Sequence, residues 1–272
     1  MMASVALAAI GCSLVVDVDG LTGGALDGGG GTADGAVESS PESGPSGKPG
    51  DATDEGSPRG CARFADASFC QDFDEPTSAL SPPTWNAYLP DGSVGDFSLV
   101  TDGAVSAPNA ARATLTSSTS DCGFNQLTRS FPGSFGTLMT RASIRVESNG
   151  IVFAVVAAQA EGAGRSYRVL LTIESDGALG IAVQQYDSGN FTDVYSTINP
   201  LDEDPFARSV DLSVAITMAP SPSIVVTAGA KTFVIPGPAD LSIKNPDIEI
   251  GQYCRAIAAR YIYDDVAVWV GP

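Results

Sequence analysis

The strongest constraint on this chain is a period-two alternation of apolar and polar residues that recurs through its second half. Leu138, Thr140, Ala142, Ile144 and Val146 share one parity, and Met139, Arg141, Ser143, Arg145 and Glu147 share the other. Tyr167, Val169, Leu171 and Ile173 repeat the pattern, as do Val210, Leu212, Val214 and Ile216. Successive side chains of a strand point to opposite faces, so this alternation describes strands with one face buried. The apolar run 151–158 predicts a strand covered on both faces, or a short buried helix. Turn signals separate these runs: Ser148-Asn149-Gly150, Glu161-Gly162-Ala163-Gly164, Ser175-Asp176-Gly177, Asp187-Ser188-Gly189-Asn190 and Pro220-Ser221-Pro222. No long stretch keeps a helical period. The expectation is an all-β fold, a two-sheet antiparallel β-sandwich or jelly roll of about a dozen short strands.

The composition removes several kinds of chemistry. The 272 residues include no histidine, which excludes a Ser-His-Asp triad, a Cys-His pair and His-ligated zinc or haem. Against 14 Lys+Arg stand 32 Asp+Glu, a formal net charge of −18. Such a charge opposes binding to nucleic-acid phosphates and to anionic membrane surfaces, both of which need a basic patch. No nucleotide-binding motif is present either, because the glycine run Gly28–Gly31 follows no strand and opens no helix.

The two ends of the chain differ. Met1–Gly11 is small and apolar, too short to span a bilayer but fitting the h-region of a signal peptide. Ala9-Ile10-Gly11-Cys12 resembles a bacterial lipobox. The resemblance implies that 1–12 is a signal peptide ending in a lipidated Cys12. The alternative is an ordinary secretory signal with Cys12 lying near the cut. Residues 13–60 are rich in Gly, Ser, Pro and Asp, with no apolar period, and bury too little surface to offset backbone entropy. They predict a disordered, flexible tether holding the domain 61–272 away from a membrane. Asp17-Val18-Asp19-Gly20 lacks the distal glutamate of an EF-hand and belongs to this tether. The expected location is therefore outside the cytoplasm: lipid-anchored to the bacterial envelope (outer membrane or cell surface), or otherwise secreted, with membrane contact only through the lipid.

Cys61, Cys70, Cys122 and Cys254 remain in the domain, an even number in an exported chain, which favours two disulfides among three possible pairings. No C-x2-C pair marks a thiolate metal site. The expected pairings are Cys61–Cys70, closing a short loop, and Cys122–Cys254, joining distant strands.

Three segments bear a family resemblance. Phe69-Cys70-Gln71-Asp72-Phe73-Asp74 precedes Trp85, Leu127-Thr128-Arg129-Ser130-Phe131-Pro132 precedes the long alternating strand, and Tyr261-Ile262-Tyr263-Asp264-Asp265-Val266-Ala267-Val268 closes the domain. Together they resemble a concanavalin A-like lectin/glucanase jelly roll of the laminin G-like kind, over residues 64–270. The resemblance implies that the first and last strands lie side by side near a structural calcium. It carries that ion to Asp72, Asp74, Asp264 and Asp265, since calcium takes six to eight oxygen ligands. Simple alternation instead sends one Asp of each pair to solvent.

The Glu-x-Asp-x-x-Glu motif of the related glucanases does not carry over. Its nearest match is Glu174-Ser175-Asp176, with Leu179 at the last required position and a hairpin turn in the middle. Glu161, Glu174, Asp187 and Asp193 are further carboxylates from which the sequence selects no pair, so no catalytic residue is assigned. Sugars stack their C–H faces on exposed rings. Trp85, Tyr88, Tyr186, Tyr195 and Tyr253 lie in or beside loops and are the ligand-binding candidates, with Phe191 beside them. For each ring, core packing is the competing role. The sequence thus points to a surface lipoprotein presenting a non-catalytic domain that binds a polysaccharide or another surface ligand. The alternatives are a glycoside hydrolase or polysaccharide lyase of the same fold, and a structural or adhesive protein that binds envelope proteins.

Overall fold

A computed structural model describes residues 60–75, 80–89, 93–106, 108–118, 125–147, 154–162, 165–187, 190–252 and 259–272. A 3-10 turn, Gly60–Phe64, leads into strands β1 (Phe69–Gln71), β2 (Asn86–Tyr88), β3 (Ser93–Val100), β4 (Ala110–Ser118), β5 (Asn125–Ser130), β6 (Ser134–Phe135), β7 (Thr137–Val146), β8 (Ala154–Gly162) and β9 (Arg165–Ile173). There follow β10 (Leu179–Asp187), β11 (Asn190–Asn199), β12 (Val210–Thr217), β13 (Ser223–Ala228), β14 (Lys231–Pro236), β15 (Ile243–Lys244), β16 (Asp247–Gln252) and β17 (Ala259–Gly271).

The strands pair antiparallel into two large sheets. One runs β14-β13-β12-β7-β17-β4-β3, with β1 paired to β17, and the other runs β11-β10-β9-β8-β16-β5-β2. A two-stranded ribbon, β6–β15, forms a third sheet whose Ile243 joins the core. The order places strands remote in sequence side by side, as in a jelly-roll sandwich rather than a chain of hairpins. The expected adjacency of the first and last strands is present: Phe69, Cys70 and Gln71 pair with Val268, Ala267 and Val266.

The alternation read from sequence is the alternation that packs. Leu138, Ala142, Ile144 and Val146 of β7, with Val210, Leu212, Val214 and Ile216 of β12, turn their side chains into the space between the sheets. Tyr167, Val169, Leu171 and Ile173 of β9 do so from the other side. Within the apolar run 151–158 the described part is a strand: β8 begins at Ala154 and lies between β9 and β16, and 151–153 lie outside the described residues. The turn Ser175-Asp176-Gly177 closes the β9–β10 hairpin. There Gly177 adopts φ 82° and donates to the Glu174 carbonyl, while the Asp176 carboxylate accepts from the Ala178 N–H.

The Cys61–Cys70 disulfide is formed, tying the 3-10 turn to β1. Cys12, Cys122, Cys254 and Tyr253, together with the segment 13–59, lie outside the described residues.

Candidate functional site

In β9 the residues between those of the core point outward, away from the other sheet: Arg168, Leu170 and Thr172 alternate with Tyr167, Val169, Leu171 and Ile173. Register then fixes their neighbours. Arg168 pairs with Gln184 of β10, and Gln184 pairs with Asp193 of the edge strand β11. On the far side of β8, the core residues Ile248 and Ile250 turn Glu249 of β16 to the same outer face. Glu249 lies opposite Thr128 of β5, one step from Gln126, which faces Tyr88 of β2. The outer face of this sheet therefore collects polar residues from strands widely separated in sequence.

These residues form a connected line. Gln184 Nε2 donates to Asp193 Oδ1 at 3.0 Å, and Arg168 Nη2 donates to Gln184 Oε1 at 3.2 Å. Arg168 Nη1 lies 3.7 Å from Glu249 Oε2, which accepts from Gln126 Nε2 at 3.3 Å. The Arg168 guanidinium carbon sits 4.4 Å from the centre of the Phe191 ring, and Phe191 leans on Tyr186 with centroids 4.8 Å apart. The side chains of Arg168 and Glu249 are only 7% and 13% exposed. Burial pushes the Glu249 carboxyl above the usual carboxylate range, against the pull of Arg168, and the charge of Asp247 pushes in the same direction as burial. A buried ion pair on the solvent side of a sheet, its carboxyl shifted upward by burial, marks a candidate site better than exposed charges do.

The sequence reasoning missed Arg168, Gln184, Gln126 and Glu249. A signal was present: Arg168 stands at a polar parity within a strand that is apolar on nearly every other position, and Asp247-Ile248-Glu249-Ile250 alternates two carboxylates with two core residues.

The ring candidates divide. Tyr88 (54% exposed) and Tyr186 stand on the outer face at the two ends of the polar line, next to Gln126 and Phe191 respectively. Tyr195 is exposed, but it pairs with Val183, whose side chain faces the core. It therefore hangs from the edge of the sheet on the opposite side from Arg168. Trp85 is corrected outright. It is 1% exposed, a member of the core, and packs edge-on against Phe69 at 5.4 Å, so no ligand reaches it. The loop that holds it folds inward, with the Trp85 N–H bonded to the Ser81 carbonyl.

The loose carboxylates have local duties. Glu174 accepts from Thr172 Oγ1, Asp187 pairs with Arg165, and Asp193 belongs to the polar line.

The four expected calcium ligands lie on the other sheet and its flanking loops. A bulge in β17 opposes Asp265 and Val266 to the single Ala142, with Asp265 at φ 50°, so Asp264 and Asp265 both turn to the outer face and both are buried. Neither is sent to solvent. Asp264 Oδ2 accepts the backbone N–H groups of Val105 (2.7 Å) and Ser106 (2.8 Å), and its Oδ1 accepts the Asp265 N–H and Ser106 Oγ–H. The same Ser106 hydroxyl lies 2.9 Å from Asp265 Oδ1, so its one proton is shared between the two carboxylates, and Asp265 Oδ2 accepts from Arg63 at 3.3 Å. Asp72 accepts from the Cys61 and Asp74 N–H groups, and Asp74 from the Asn109 N–H. Calcium asks for converging oxygens. Here the oxygens are turned to N–H and O–H donors, a guanidinium supplies the positive charge, and no three acidic or thiol groups converge as a metal site among the described residues. The set does not fit a calcium cage. It is a clamp that fixes the 3-10 turn and the Val105–Ser106 backbone to the last strand.

No family model matches this chain, and no curated protein matches it in sequence. Solved structures do match in shape. An endo-β-1,4-glucuronan lyase from the fungus Trichoderma reesei superposes with a TM-score of 0.57 at 14% identity, over 75% of this chain and 95% of that one. The fold is a concanavalin A-like jelly roll. The cellulose-induced protein Cip1 gives 0.52 at 14% identity, over 75% and 99% of the two chains. The Bacteroides ovatus mixed linkage glucan GH16, in complex with its G4G4G3G product, gives 0.51 at 9% identity, over 74% and 99%. At such identities the likeness is one of fold.

Proposed function

We propose that this jelly roll binds a polysaccharide on the outer face of the β11-to-β2 sheet and does not cleave it. The observation that supports this most is the line Asp193–Gln184–Arg168–Glu249–Gln126, flanked by Tyr186 and Phe191 at one end and Tyr88 at the other. It combines hydrogen-bonding groups with accessible rings, the two things sugar hydroxyls and C–H faces require. The neighbours named for glucuronan, an acidic polymer, and mixed linkage glucan, a neutral one, support polysaccharide as the ligand without choosing its charge. The chain has no histidine base, which leaves catalysis to carboxylates or tyrosine.

The test is retention of the full chain on a panel of insoluble or gel-embedded polysaccharides, with calcium and with EDTA, while soluble fragments are assayed in the same tubes. The expected result is retention without fragments, indifferent to calcium. Tyr88→Ala and Tyr186→Ala are each expected to weaken binding about fivefold, near 1 kcal/mol per ring. Released fragments would favour a second reading, for which Glu249, buried and with its carboxyl pushed upward, is the natural proton-transfer group. Retention on no glycan would favour the structural or adhesive alternative.

We further propose that the protein is exported and held to the cell envelope through lipidated Cys12, with 13–60 as tether. The lipobox-like sequence and the Gly/Ser/Pro/Asp-rich stretch after it support this. Cys12→Ala is expected to move the protein from the detergent-soluble membrane fraction to the aqueous fraction. An unchanged distribution would remove the anchor.

A further inference from the structure

We propose that Glu249 makes this face selective for uncharged polysaccharide, by cancelling Arg168 within the floor so that no arginine fork is offered to a uronate. The proposal rests on the glycan-binding reading above and adds the substrate class to it.

Arginine reads a carboxylate through the free edges of its planar fork, two parallel N–H bonds to two oxygens. Arg168 has little of that edge to give. Nη2 is bonded to Gln184 Oε1 at 3.2 Å, and Nη1 is 3.7 Å from Glu249 Oε2. The guanidinium carbon lies over the Phe191 ring, 4.4 Å from its centre, and the side chain is 7% exposed. A uronate carboxylate approaching Arg168 must displace Phe191 and then meet Glu249 at close range, in surroundings too dry to screen the repulsion. Asp193 at one end of the line and Asp247 beside Glu249 on the same face add to that repulsion. So does the net charge of −18 over the whole chain.

A neutral sugar meets none of these costs. It needs donors and acceptors, which the partly exposed Gln184 and its exposed partner Asp193 supply, and a ring to stack on, which Tyr186 and Phe191 present. The same geometry that disables Arg168 as an anion site builds the aromatic platform, because Phe191 is at once the cover of the guanidinium and the partner of Tyr186.

The experiment is affinity electrophoresis of the full chain through gels containing neutral polymers (laminarin, barley β-glucan, xyloglucan) or acidic ones (polyglucuronate, polygalacturonate). The wild-type protein is expected to be retarded by a neutral polymer and to pass freely through the polyuronates. Its retardation should not change between about 50 and 500 mM NaCl, because no ion pair is made. Glu249→Gln keeps an oxygen and the shape of the side chain while removing the charge. It is expected to gain polyuronate retardation of about tenfold, lost again at high salt. Equal or stronger wild-type retardation by the polyuronates overturns this selectivity and leaves glycan binding standing. So does salt-sensitive binding of the neutral polymers. Absence of any polyuronate gain in Glu249→Gln removes Glu249 from the role. Free passage of the wild-type protein through every gel overturns glycan binding itself, and the selectivity with it.

Discussion

Trp85→Ala is expected to lose about 3–5 kcal/mol of folding stability and to lower the Tm by about 6–20 °C. The indole fills the core beneath β2 and packs edge-on against Phe69, whose other contacts include Arg129, 4.1 Å from its ring centre, and Phe131. Alanine leaves a cavity of most of the indole volume among aromatic neighbours that cannot collapse onto it. The companion variant separates the two roles a buried tryptophan can have. The Trp85 Nε1–H is buried and has no acceptor among the described residues. Trp85→Phe therefore removes an unsatisfied donor while keeping most of the apolar volume, and the expected cost is about 1–2 kcal/mol. Thermal melts of the two variants beside the wild type check this. If Trp85 were instead a ligand contact, Trp85→Ala would spare the Tm and abolish retention on glycan, the reverse of what its burial dictates.

That contrast shows which parts of the molecule were legible in the sequence. Strand identity was, because burial of one face writes a period of two into the residues: β7, β9 and β12 run where Leu138–Val146, Tyr167–Ile173 and Val210–Ile216 alternate. The neighbourhood of the first and last strands followed from the resemblance, and the Phe69–Val268 register agrees with it. Trp85 was not legible, because a loop residue carries no periodicity to say whether the loop turns in or out. The aspartates of β17 were misread for a different reason. Strict alternation separates Asp264 from Asp265, but one extra residue opposite Ala142 breaks the count and sends both to one face. Arg168 and Glu249 were missed because their meeting depends on strand order. They come from β9 and β16, which the strand order sets on either side of β8, and their long side chains meet across it at 3.7 Å. Local pattern fixes which residues leave the core, while topology decides which of them meet.

The β17 clamp supplies the second large effect. Asp264→Ala is expected to cost about 2–4 kcal/mol at neutral pH, because it strips the acceptor from the buried N–H groups of Val105 and Ser106. Ser106 Oγ keeps Asp265 as a partner, which limits the loss. The pH dependence distinguishes this clamp from an ordinary exposed carboxylate. Burial pushes the Asp264 carboxyl up to about 6, with the neighbouring Asp265 charge adding to it and the backbone N–H groups of Ser106, Asp265 and Val105 opposing it. A carboxyl that titrates higher in the folded chain binds more protons there than in the unfolded chain. Its contribution is fully present below about pH 4 and is lost as the pH rises through about 6, an amount on the order of 3 kcal/mol. Asp265, faced by Arg63, Asp72 and Asp211, is shifted upward as well, mainly by burial, so it slopes the same way. Urea unfolding across pH 4–7 is therefore expected to show stability falling with rising pH from these two groups. Asp264→Asn should flatten most of that slope and leave the remainder to Asp265. If Asp264→Asn follows the wild-type slope unchanged, the proton taken up on folding belongs elsewhere, and the backbone N–H groups of Ser106, Asp265 and Val105 compensate the Asp264 charge more fully than its burial implies.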